Sequence, residues 1–247
     1  MIPFILTKMA KKKETIRQMF NDISLKYDFL NHFLSLGIDR SWRKRLVKLL
    51  GKTNPRSILD VATGTADLAI AMAKIKPEKI VGIDISEKML AIGQAKVMGQ
   101  GLERLITLKQ GDAEKIPFSD GSFDAITVAF GVRNFENLTL GLTEMKRALR
   151  PGGTMMILEF SYPSAFPFKQ LYGLYSTLFI PLIGRLVSRN NQAYRYLPVS
   201  VKSFPAGNDF LGILENIGMR NSHQVILTLG VASIYIAEKY PVRPKNV

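Results

Sequence analysis

The stretch that decides the fold is Ser57-Ile58-Leu59-Asp60-Val61-Ala62-Thr63-Gly64-Thr65-Ala66-Asp67-Leu68. It begins with the pattern of a short buried strand, continues through a turn of small residues, and enters a helical pattern at Asp67. Small residues between a strand and a helix let backbone N–H groups approach a ligand at the carboxyl edge of a parallel sheet. The stretch therefore predicts the first strand-turn-helix unit of a nucleotide-binding α/β domain.

The alternation of strand and helix patterns continues from this unit along the chain. Strands are predicted at Ser57–Val61, Lys79–Asp84, Leu105–Lys109, Phe123–Ala129, Thr154–Phe160, Arg220–Leu227 and Ala232–Glu238. Helices are predicted at Asp67–Lys74, Ser86–Val97 with Ser86 as N-cap, Asn137–Leu149 stopped by Pro151, Gly152 and Gly153, and Phe204–Asn216. This order predicts an α/β fold with a mostly parallel seven-stranded sheet and helices on both faces.

Two regions stand outside the alternation. Residues 15–35 and 40–50 carry helical patterns before the first strand, and the aromatic-rich stretch Phe166–Val187 interrupts the later part of the chain. We therefore predict four parts: an N-terminal helical attachment (1–52), a cofactor-binding core (53–162), an inserted helical cap (163–203) and a closing helix with strands (204–247). Trp42 is predicted to pack the N-terminal helices onto the sheet, and His32 and His223 are predicted to be structural.

Composition and charge exclude several classes of protein. The chain has 247 residues, no Cys and two His, so a disulfide framework, a Cys nucleophile and a histidine-rich metal site are excluded. Its net charge of +14 is concentrated in residues 1–60 (+8) and 161–247 (+6). Such asymmetry predicts an anionic partner surface, either nucleic acid or the cytoplasmic face of a membrane, with solubility as the simpler explanation.

The location of the protein is predicted from two apolar stretches. The apolar residues at the start of the chain precede the basic cluster Lys11 to Lys13, which is the reverse of the order in a signal peptide. The uncharged stretch Gln170–Gly184 has 15 residues and contains Gly173 and Pro181, whereas a membrane-spanning helix needs about 20. We therefore predict a cytoplasmic protein that does not cross a bilayer.

Acidic residues follow three successive strands. Asp84 comes 24 residues after Asp60, where an acid can accept both hydroxyls of a ribose, and Asp112 follows the third strand, where it can accept from an adenine amine. The glycine turn lacks the G-x-G-x-x-G triple and a Walker lysine, which favours a nucleoside without phosphates. Carboxylates also suit the sulfonium and ammonium groups of S-adenosylmethionine.

Four segments of the chain carry a resemblance to a known family. They are Tyr27 to Asn31 with Leu34, Ser35 and Trp42; Ala129 to Asn134; Arg147 to Gly153 leading into Leu158 to Ser161; and Tyr194 to Ser200. Together, between about Thr15 and Lys239, they resemble class I S-adenosylmethionine methyltransferases, and among them the quinone-biosynthesis C-methyltransferases that act on demethylmenaquinol or on the ubiquinone-pathway benzoquinol. One position departs, because Asp39 stands where the family usually has a His before the Trp.

The resemblance implies a Rossmann-like class I methyltransferase fold, S-adenosylmethionine as cofactor and a set of site residues. With the strand-end acids, the expected cofactor-binding residues are Asp60, Gly64, Thr65, Asp84, Asp112 and Ala113. Arg133 and Asn134 are expected beside the transferring methyl group. Arg133 would stabilise developing phenolate charge or orient a water that takes the proton, since its own pKa is too high for a general base. Asn134 and Tyr27 would position the substrate hydroxyl.

The implied reaction is methylation of a ring carbon of a prenylated quinol. Such a carbon must be electron-rich, so the reduced quinol is the expected substrate. The set Tyr172, Tyr175, Phe179 and Ile180 has helical spacing and would form either the core of the cap or an apolar path for the prenyl tail. We favour demethylmenaquinol to menaquinol conversion in menaquinone biosynthesis, with the benzoquinol reaction as the alternative, a peripheral contact with an anionic membrane surface, and a homodimer left open.

Two other classes of function remain to be tested. An RNA or DNA methyltransferase would use the same fold and would explain the basic charge. However, the loop after the fourth strand lacks the Asp/Asn-Pro-Pro-aromatic motif for exocyclic amines, and the chain has no Cys for attack on a pyrimidine. No nucleic-acid partner is therefore expected. A non-catalytic membrane scaffold is disfavoured by the complete set of Asp60, Gly64, Asp84 and Asp112.

Overall fold

We describe the structure, a computed structural model, over residues 13–25, 28, 32, 35, 37–163, 166–174 and 192–240, with Leu171 and residues 192–195 described by their backbone only. Tyr27 of the predicted site, and Tyr175, Phe179 and Ile180 of the predicted cap, lie outside the described residues.

Seven strands form one sheet at the centre of the described chain. They are β1 (Ser57–Val61), β2 (Lys79–Asp84), β3 (Ile106–Gln110), β4 (Phe123–Ala129), β5 (Leu149–Phe160), β6 (Met219–Leu227) and β7 (Ala232–Lys239). Their order is β3-β2-β1-β4-β5-β7-β6, and β7 pairs antiparallel with both of its neighbours while the pairs among β1 to β5 are parallel. The predicted α/β fold with a mostly parallel seven-stranded sheet is confirmed.

The helices pack on both faces of this sheet. They are α1 (13–25), α2 (Ile38–Leu50), α3 (Asp67–Met72), α4 (Glu87–Gly99), α5 (Leu138–Ala148), α6 (Phe168–Leu174), α7 (Gln192–Ser203) and α8 (Asn208–Asn216). Ser86 caps α4 as predicted, because its hydroxyl oxygen accepts the backbone N–H of Met89 at 3.2 Å. Within the described ranges, no helix is both long enough and apolar enough to span a membrane.

The core has two apolar clusters, one on each side of the sheet. One contains Leu142 and Met145 of α5 with Phe210 and Leu214 of α8. The other contains side chains from helices α2, α3 and α4, including Trp42. Trp42 lies 6.1 Å from Phe130 and 6.0 Å from Phe160 between ring centroids, so it packs α2 onto the sheet as predicted. The N-terminal helix α2 is thus part of the main hydrophobic core.

Two predicted boundaries in the described residues are wrong by more than two residues. Strand β5 begins at Leu149, so Pro151, Gly152 and Gly153 lie within the strand instead of stopping helix α5. The Leu149 side chain is fully buried and its backbone is extended, which ends the helix early. The pairing of β4 with β5 jumps from Phe123–Leu149 to Ala125–Thr154. Gly152, with φ of 75°, permits this irregular stretch.

The second wrong boundary is the start of the closing helix, which begins at Asn208 and not at Phe204. Pro205 and Gly207 lie between α7 and α8, and Gly207 has the positive φ of 66° that favours glycine. The N–H of Gly207 donates to the Tyr235 hydroxyl at 2.8 Å, and Phe204 packs against Phe210 at 5.0 Å. This turn therefore seats the end of α7 on the sheet before α8 begins.

Candidate active site

A cavity of about 710 Å³, including its open mouth, lies at the carboxyl ends of the parallel strands. Its wall is formed by the turn after β1, the ends of β2 and β4, and the segment after β3, and α1 lies across it. Of the residues predicted to form the site, Gly64, Asp84, Asp112, Ala113 and Asn134 line the cavity. Side chains that close parallel strands meet at this edge, which is why the strand-end residues converge.

Asp84, the last residue of β2, holds the turn after β1. Its carboxylate accepts the backbone N–H of Gly64 at 2.9 Å and that of Ser86 at 2.8 Å. Burial raises the pKa of Asp84 above its usual range, against the lowering effect of these hydrogen bonds. Gly64 has a φ of 56°, and a Cβ atom there would meet no atom within 4 Å. The turn thus leaves open space beside the Asp84 carboxylate.

Asp60 lies behind the same turn and not on the cavity wall. It is 1% exposed, and its two carboxylate oxygens accept hydrogen bonds of 2.7 Å from the hydroxyls of Thr63 and Thr127. Burial raises the pKa of Asp60 to about 6. A contact between Asp60 and the cofactor remains a prediction, since in this structure its carboxylate accepts hydrogen bonds from the turn and from β4 beneath the cavity wall.

Thr65 is turned towards the N-terminal part of the chain. It is buried, and its hydroxyl donates to the Asp28 carboxylate at 2.5 Å. The Lys96 ammonium lies 2.6 Å from carboxylate oxygens of both Asp28 and Asp67. The sequence did not indicate that Asp28 and Lys96 are neighbours of the glycine turn. Asp28 stands within a segment of the family resemblance, whereas Lys96 follows Thr65 by 31 residues and has no local motif.

Asp112 and Ala113 line the cavity where an adenine is expected, and a residue of α1 reaches this position. The Lys13 ammonium lies 2.6 Å from the Asp112 carboxylate and 3.2 Å from that of Glu114. Asp112 also accepts the backbone N–H of Glu114 at 2.9 Å, which fixes the segment after β3. The position of Lys13 could not be predicted, because 99 residues separate it from Asp112.

The loop after β4 contains Arg133 and Asn134, which face different directions. The guanidinium of Arg133 is buried against Glu159 at 2.6 Å and donates to the backbone carbonyl of Phe130 at 2.5 Å. It also lies 5.4 Å from the centroid of the Phe160 ring. Asn134 lines the cavity instead. Arg133 therefore lies behind the part of the wall that Asn134 lines, and the sequence did not indicate its partner Glu159.

Tyr196 of α7 is a further neighbour that the sequence analysis did not assign to the site. Its hydroxyl donates to the Asn134 side-chain oxygen at 3.0 Å. Burial raises the pKa of Tyr196, an effect that the charge of Arg133 partly opposes. The signal that could have found it is the segment Tyr194 to Ser200, which was part of the resemblance but received no role.

The position that departs from the family resemblance, Asp39, lies at the start of α2 in a polar cluster. Its carboxylate is buried and contacts His32 at 2.8 Å, the Ser35 hydroxyl at 2.7 Å, and Arg43. Burial alone would raise the pKa of Asp39, but the hydrogen bonds from Ser35 and His32 and the charge of Arg43 lower it. Asp39 thus joins His32 to the start of α2, and the structural role of His32 remains a prediction.

Comparisons with known proteins give matches over nearly the whole chain. Residues 8–239 match the sequence profile of the ubiE/COQ5 methyltransferase family. The chain is 46% identical over 231 residues to the demethylmenaquinone methyltransferase of Bacteroides fragilis, covering 93% of this chain and 94% of the relative. It is 44% identical over 234 residues to the ubiquinone/menaquinone biosynthesis C-methyltransferase UbiE of Geobacter sulfurreducens, covering 94% and 91%.

Solved structures share the fold at lower identity. A protein of Methanococcus maripaludis, described as an S-adenosyl-L-methionine-dependent methyltransferase, superposes with a TM-score of 0.67 at 21% identity, covering 91% of this chain and 95% of that one. The [4+2]-cyclase SpnF superposes with a TM-score of 0.59 at 16% identity, covering 93% and 97%. These two structures support the fold alone, since proteins with different chemistry share it.

Proposed function

Since the chain belongs to the ubiE/COQ5 methyltransferase family, we propose that it is an S-adenosylmethionine-dependent C-methyltransferase that converts demethylmenaquinol to menaquinol. The observation that carries this proposal is the similarity, over almost the whole chain, to relatives named demethylmenaquinone methyltransferase. The cavity at the carboxyl edge of the sheet, with Asp84 and Asp112 on its wall, supports this proposal.

The residues of the cavity fit the cofactor. Asp84 would accept the ribose hydroxyls, because its carboxylate borders the open space at Gly64. Asp112 would accept the adenine amine, and Ala113 would pack beside the base. Thr65 and Asp60 would support the turn that holds the methionine part. When bound, S-adenosylmethionine supplies an electrophilic methyl group on its sulfonium.

The substrate must be the reduced ring. Loss of a quinol hydroxyl proton places electron density on the adjacent ring carbon, which makes it the nucleophile. We propose that the Asn134 amide donates to the quinol oxygen and that Arg133 stabilises the negative charge or orients the water that removes the ring proton. Tyr27 would position the same hydroxyl. Arg133 would act from behind Asn134, since its guanidinium is directed at Glu159.

The basic ends of the chain support a location at the inner face of the membrane. Residues 1–60 and 161–247 carry +8 and +6, and each basic group near anionic lipid is worth about 1 kcal/mol. We propose peripheral contact with anionic lipid as the route by which the polyprenyl tail reaches the cap. Flotation with vesicles tests it, because binding that ignores salt and anionic lipid content would mean that charge is not the anchor.

The function is tested by mass spectrometry of the products. The purified protein is incubated with S-adenosylmethionine and a short-tailed demethylmenaquinone in detergent, with and without a reductant. We expect a methylated product only under reduction. Cofactor binding without methylation would contradict the demethylmenaquinol assignment.

The same assay is repeated with two other substrates. The benzoquinol of the ubiquinone pathway is the second candidate, because the Geobacter sulfurreducens relative is named for both pathways. RNA tests the alternative that the basic charge suggests. Light scattering of the same preparation tests whether two copies associate.

A further inference from the structure

The amide group of Asn134 has a defined orientation in the structure. Its nitrogen lies 3.4 Å from the backbone carbonyl oxygen of Phe130, and its oxygen lies 3.0 Å from the hydroxyl of Tyr196. A carbonyl oxygen can only accept a hydrogen bond, so the NH2 group must face Phe130. The amide oxygen must then face Tyr196, and the Tyr196 hydroxyl must donate to it. A flipped amide would place two acceptor oxygens against each other.

The contact joins two parts of the chain that are far apart in sequence. Asn134 ends the short 3-10 helix Val132–Asn134 after β4, and Tyr196 lies in α7, 62 residues later. Helix α7 is seated on the core through Ser200 and Val201, both buried. Tyr196 is therefore presented to the loop by a helix whose position the core fixes. Burial also raises the pKa of its hydroxyl, so the hydroxyl keeps its proton at neutral pH.

The orientation determines what Asn134 presents to the cavity. The amide nitrogen carries two hydrogens, and the Phe130 carbonyl accepts one of them. Because Asn134 lines the cavity, the second hydrogen is available to an acceptor bound there. An amide held by Tyr196 would therefore offer an N–H group to a substrate in the cavity, whereas an amide free to rotate could also turn its oxygen there and repel a phenolate.

We propose that Tyr196 is a positioning residue for methyl transfer, which holds the Asn134 amide so that its N–H group meets the oxygen of the quinol. This inference rests on the proposed function, because it assigns Asn134 to the substrate oxygen. The hydrogen bond from the Asn134 N–H group becomes stronger as negative charge develops on that oxygen in the transition state. The loss of the Tyr196 hydroxyl should therefore lower kcat more than it raises KM.

The first experiment compares Tyr196→Phe with the wild-type protein. The variant keeps the ring in α7 and removes only the hydroxyl. We expect kcat to fall about tenfold, the scale of one hydrogen bond, with the Kd for S-adenosylmethionine unchanged. Tyr240→Phe is the matched control, because Tyr240 is 48% exposed after the end of β7, at the edge of the sheet away from the cavity. An unchanged kcat in Tyr196→Phe would overturn the proposal.

A double-mutant cycle with Asn134→Ala separates positioning from a purely structural role. If Tyr196 acts through Asn134, then Tyr196→Phe has no further effect on kcat once Asn134 is Ala. If Tyr196 only stabilises the cap, the two losses multiply, and this result would also overturn the proposal. Thermal unfolding of each variant shows whether the protein remains folded.

The Asn134 side-chain amide gives a readout that does not depend on turnover. Its N–H resonances are assigned by their absence in Asn134→Ala. We expect them to move in Tyr196→Phe towards the positions of a solvated amide and to stay in place in Tyr240→Phe. Unmoved resonances would refute the contact. If the wild-type protein methylates no quinol, the proposed function fails, and this spectrum still decides whether Tyr196 orients Asn134.

Discussion

The guanidinium of Arg133 and the carboxylate of Glu159 form an ion pair of 2.6 Å in which both side chains are buried, with 6% and 0% of their surfaces exposed. The Glu159 carboxylate also accepts the backbone N–H groups of Arg133 and Phe160, at 3.3 Å and 2.9 Å. The pair therefore ties the loop after β4 to the end of β5. Removal of one partner leaves an uncompensated charge in the protein interior.

We expect Glu159→Ala to lower the free energy of unfolding by about 3 to 5 kcal/mol, the usual cost of breaking a buried pair. Glu78→Ala is the matched control, because its pair with Arg56 is exposed, at 61% and 74%. Surface pairs contribute about 1 kcal/mol or less. Urea unfolding measures both. If Glu159→Ala lowers the free energy of unfolding no more than Glu78→Ala does, then the buried pair of Arg133 and Glu159 adds little to stability.

For Arg133→Ala we expect the affinity for S-adenosylmethionine to stay near that of the wild-type protein and turnover to fall strongly. Asp84 and Asp112, the proposed cofactor contacts, lie on other loops, whereas Arg133 lies behind Asn134. The double substitution Arg133→Met with Glu159→Met removes both charges and so should recover stability without recovering turnover. Calorimetric titration and a turnover assay measure the two effects. Normal turnover in Arg133→Ala would reduce Arg133 to a structural ion pair.

Asp84→Ala should weaken binding of S-adenosylmethionine by about 1.5 to 3 kcal/mol, the scale of a lost charge-assisted hydrogen bond. Part of this loss of affinity would arise from a change in the turn after β1, since the Asp84 carboxylate accepts the backbone N–H of Gly64. Asp124→Ala is the matched control, because its carboxylate also accepts two backbone N–H groups, those of Arg56 and Ser57, at the opposite edge of the sheet. Equal Kd values for Asp84→Ala and the wild-type protein would remove Asp84 from the site.

The fold was predictable because its determinants are local. Each strand pattern ends at a turn of small or polar residues, and Ser86 caps α4 through the backbone N–H of its near neighbour Met89. The two wrong boundaries have tertiary causes. The buried side chain of Leu149 draws it into β5, and the contact of Gly207 with Tyr235 delays α8. The sequence next to Leu149 does not show which core buries its side chain, and the sequence next to Gly207 does not show its contact with Tyr235.

The site was predictable only where it consists of strand ends. Asp84 and Asp112 line the cavity because parallel strands bring their carboxyl ends together. Lys13 and Tyr196 reach the site from segments 99 and 62 residues away from their partners. The periodicity of a helix fixes which face is apolar but not which loop that face meets. Their placement therefore required the structure.

The raised pKa of Asp60 predicts a dependence of stability on pH. Its pKa lies near 6 in the folded protein against an ordinary value of 3.8, so the folded state binds this proton more tightly than the unfolded state does. The stability from this group is present below about pH 4 and is lost as the pH rises to about 6. Asp60→Asn should therefore be more stable than the wild-type protein by about 2 to 3 kcal/mol at pH 8 and similar to it near pH 4.

Asp124→Asn provides a control of opposite sign for this experiment. Burial would raise the pKa of Asp124, but hydrogen bonds from the backbone of Ser57 and Arg56 lower it. Its contribution is present above its unfolded pKa and is lost as the pH falls. Asp124→Asn should thus lose stability near pH 8. Denaturant unfolding over the pH range measures both variants, and a pH-independent difference between Asp60→Asn and wild type would contradict the assignment.

Lys13 should affect discrimination between the cofactor and its demethylated product. Its ammonium neutralises carboxylates of Asp112 and Glu114 at the cavity wall. S-adenosylmethionine has one more positive charge than S-adenosylhomocysteine, while their adenosine groups are the same. Lys13→Met should therefore shift the ratio of the two affinities towards S-adenosylmethionine by about threefold, the effect of a unit charge roughly 10 Å away in a polar medium.

Arg17→Met, on the same helix but paired with Glu14, is the control for charge on α1. Calorimetry with both ligands gives the ratio of their affinities. A change in access to the cavity that affects both ligands equally leaves this ratio unchanged. An unchanged ratio in Lys13→Met would show that Lys13 does not set the potential of the site.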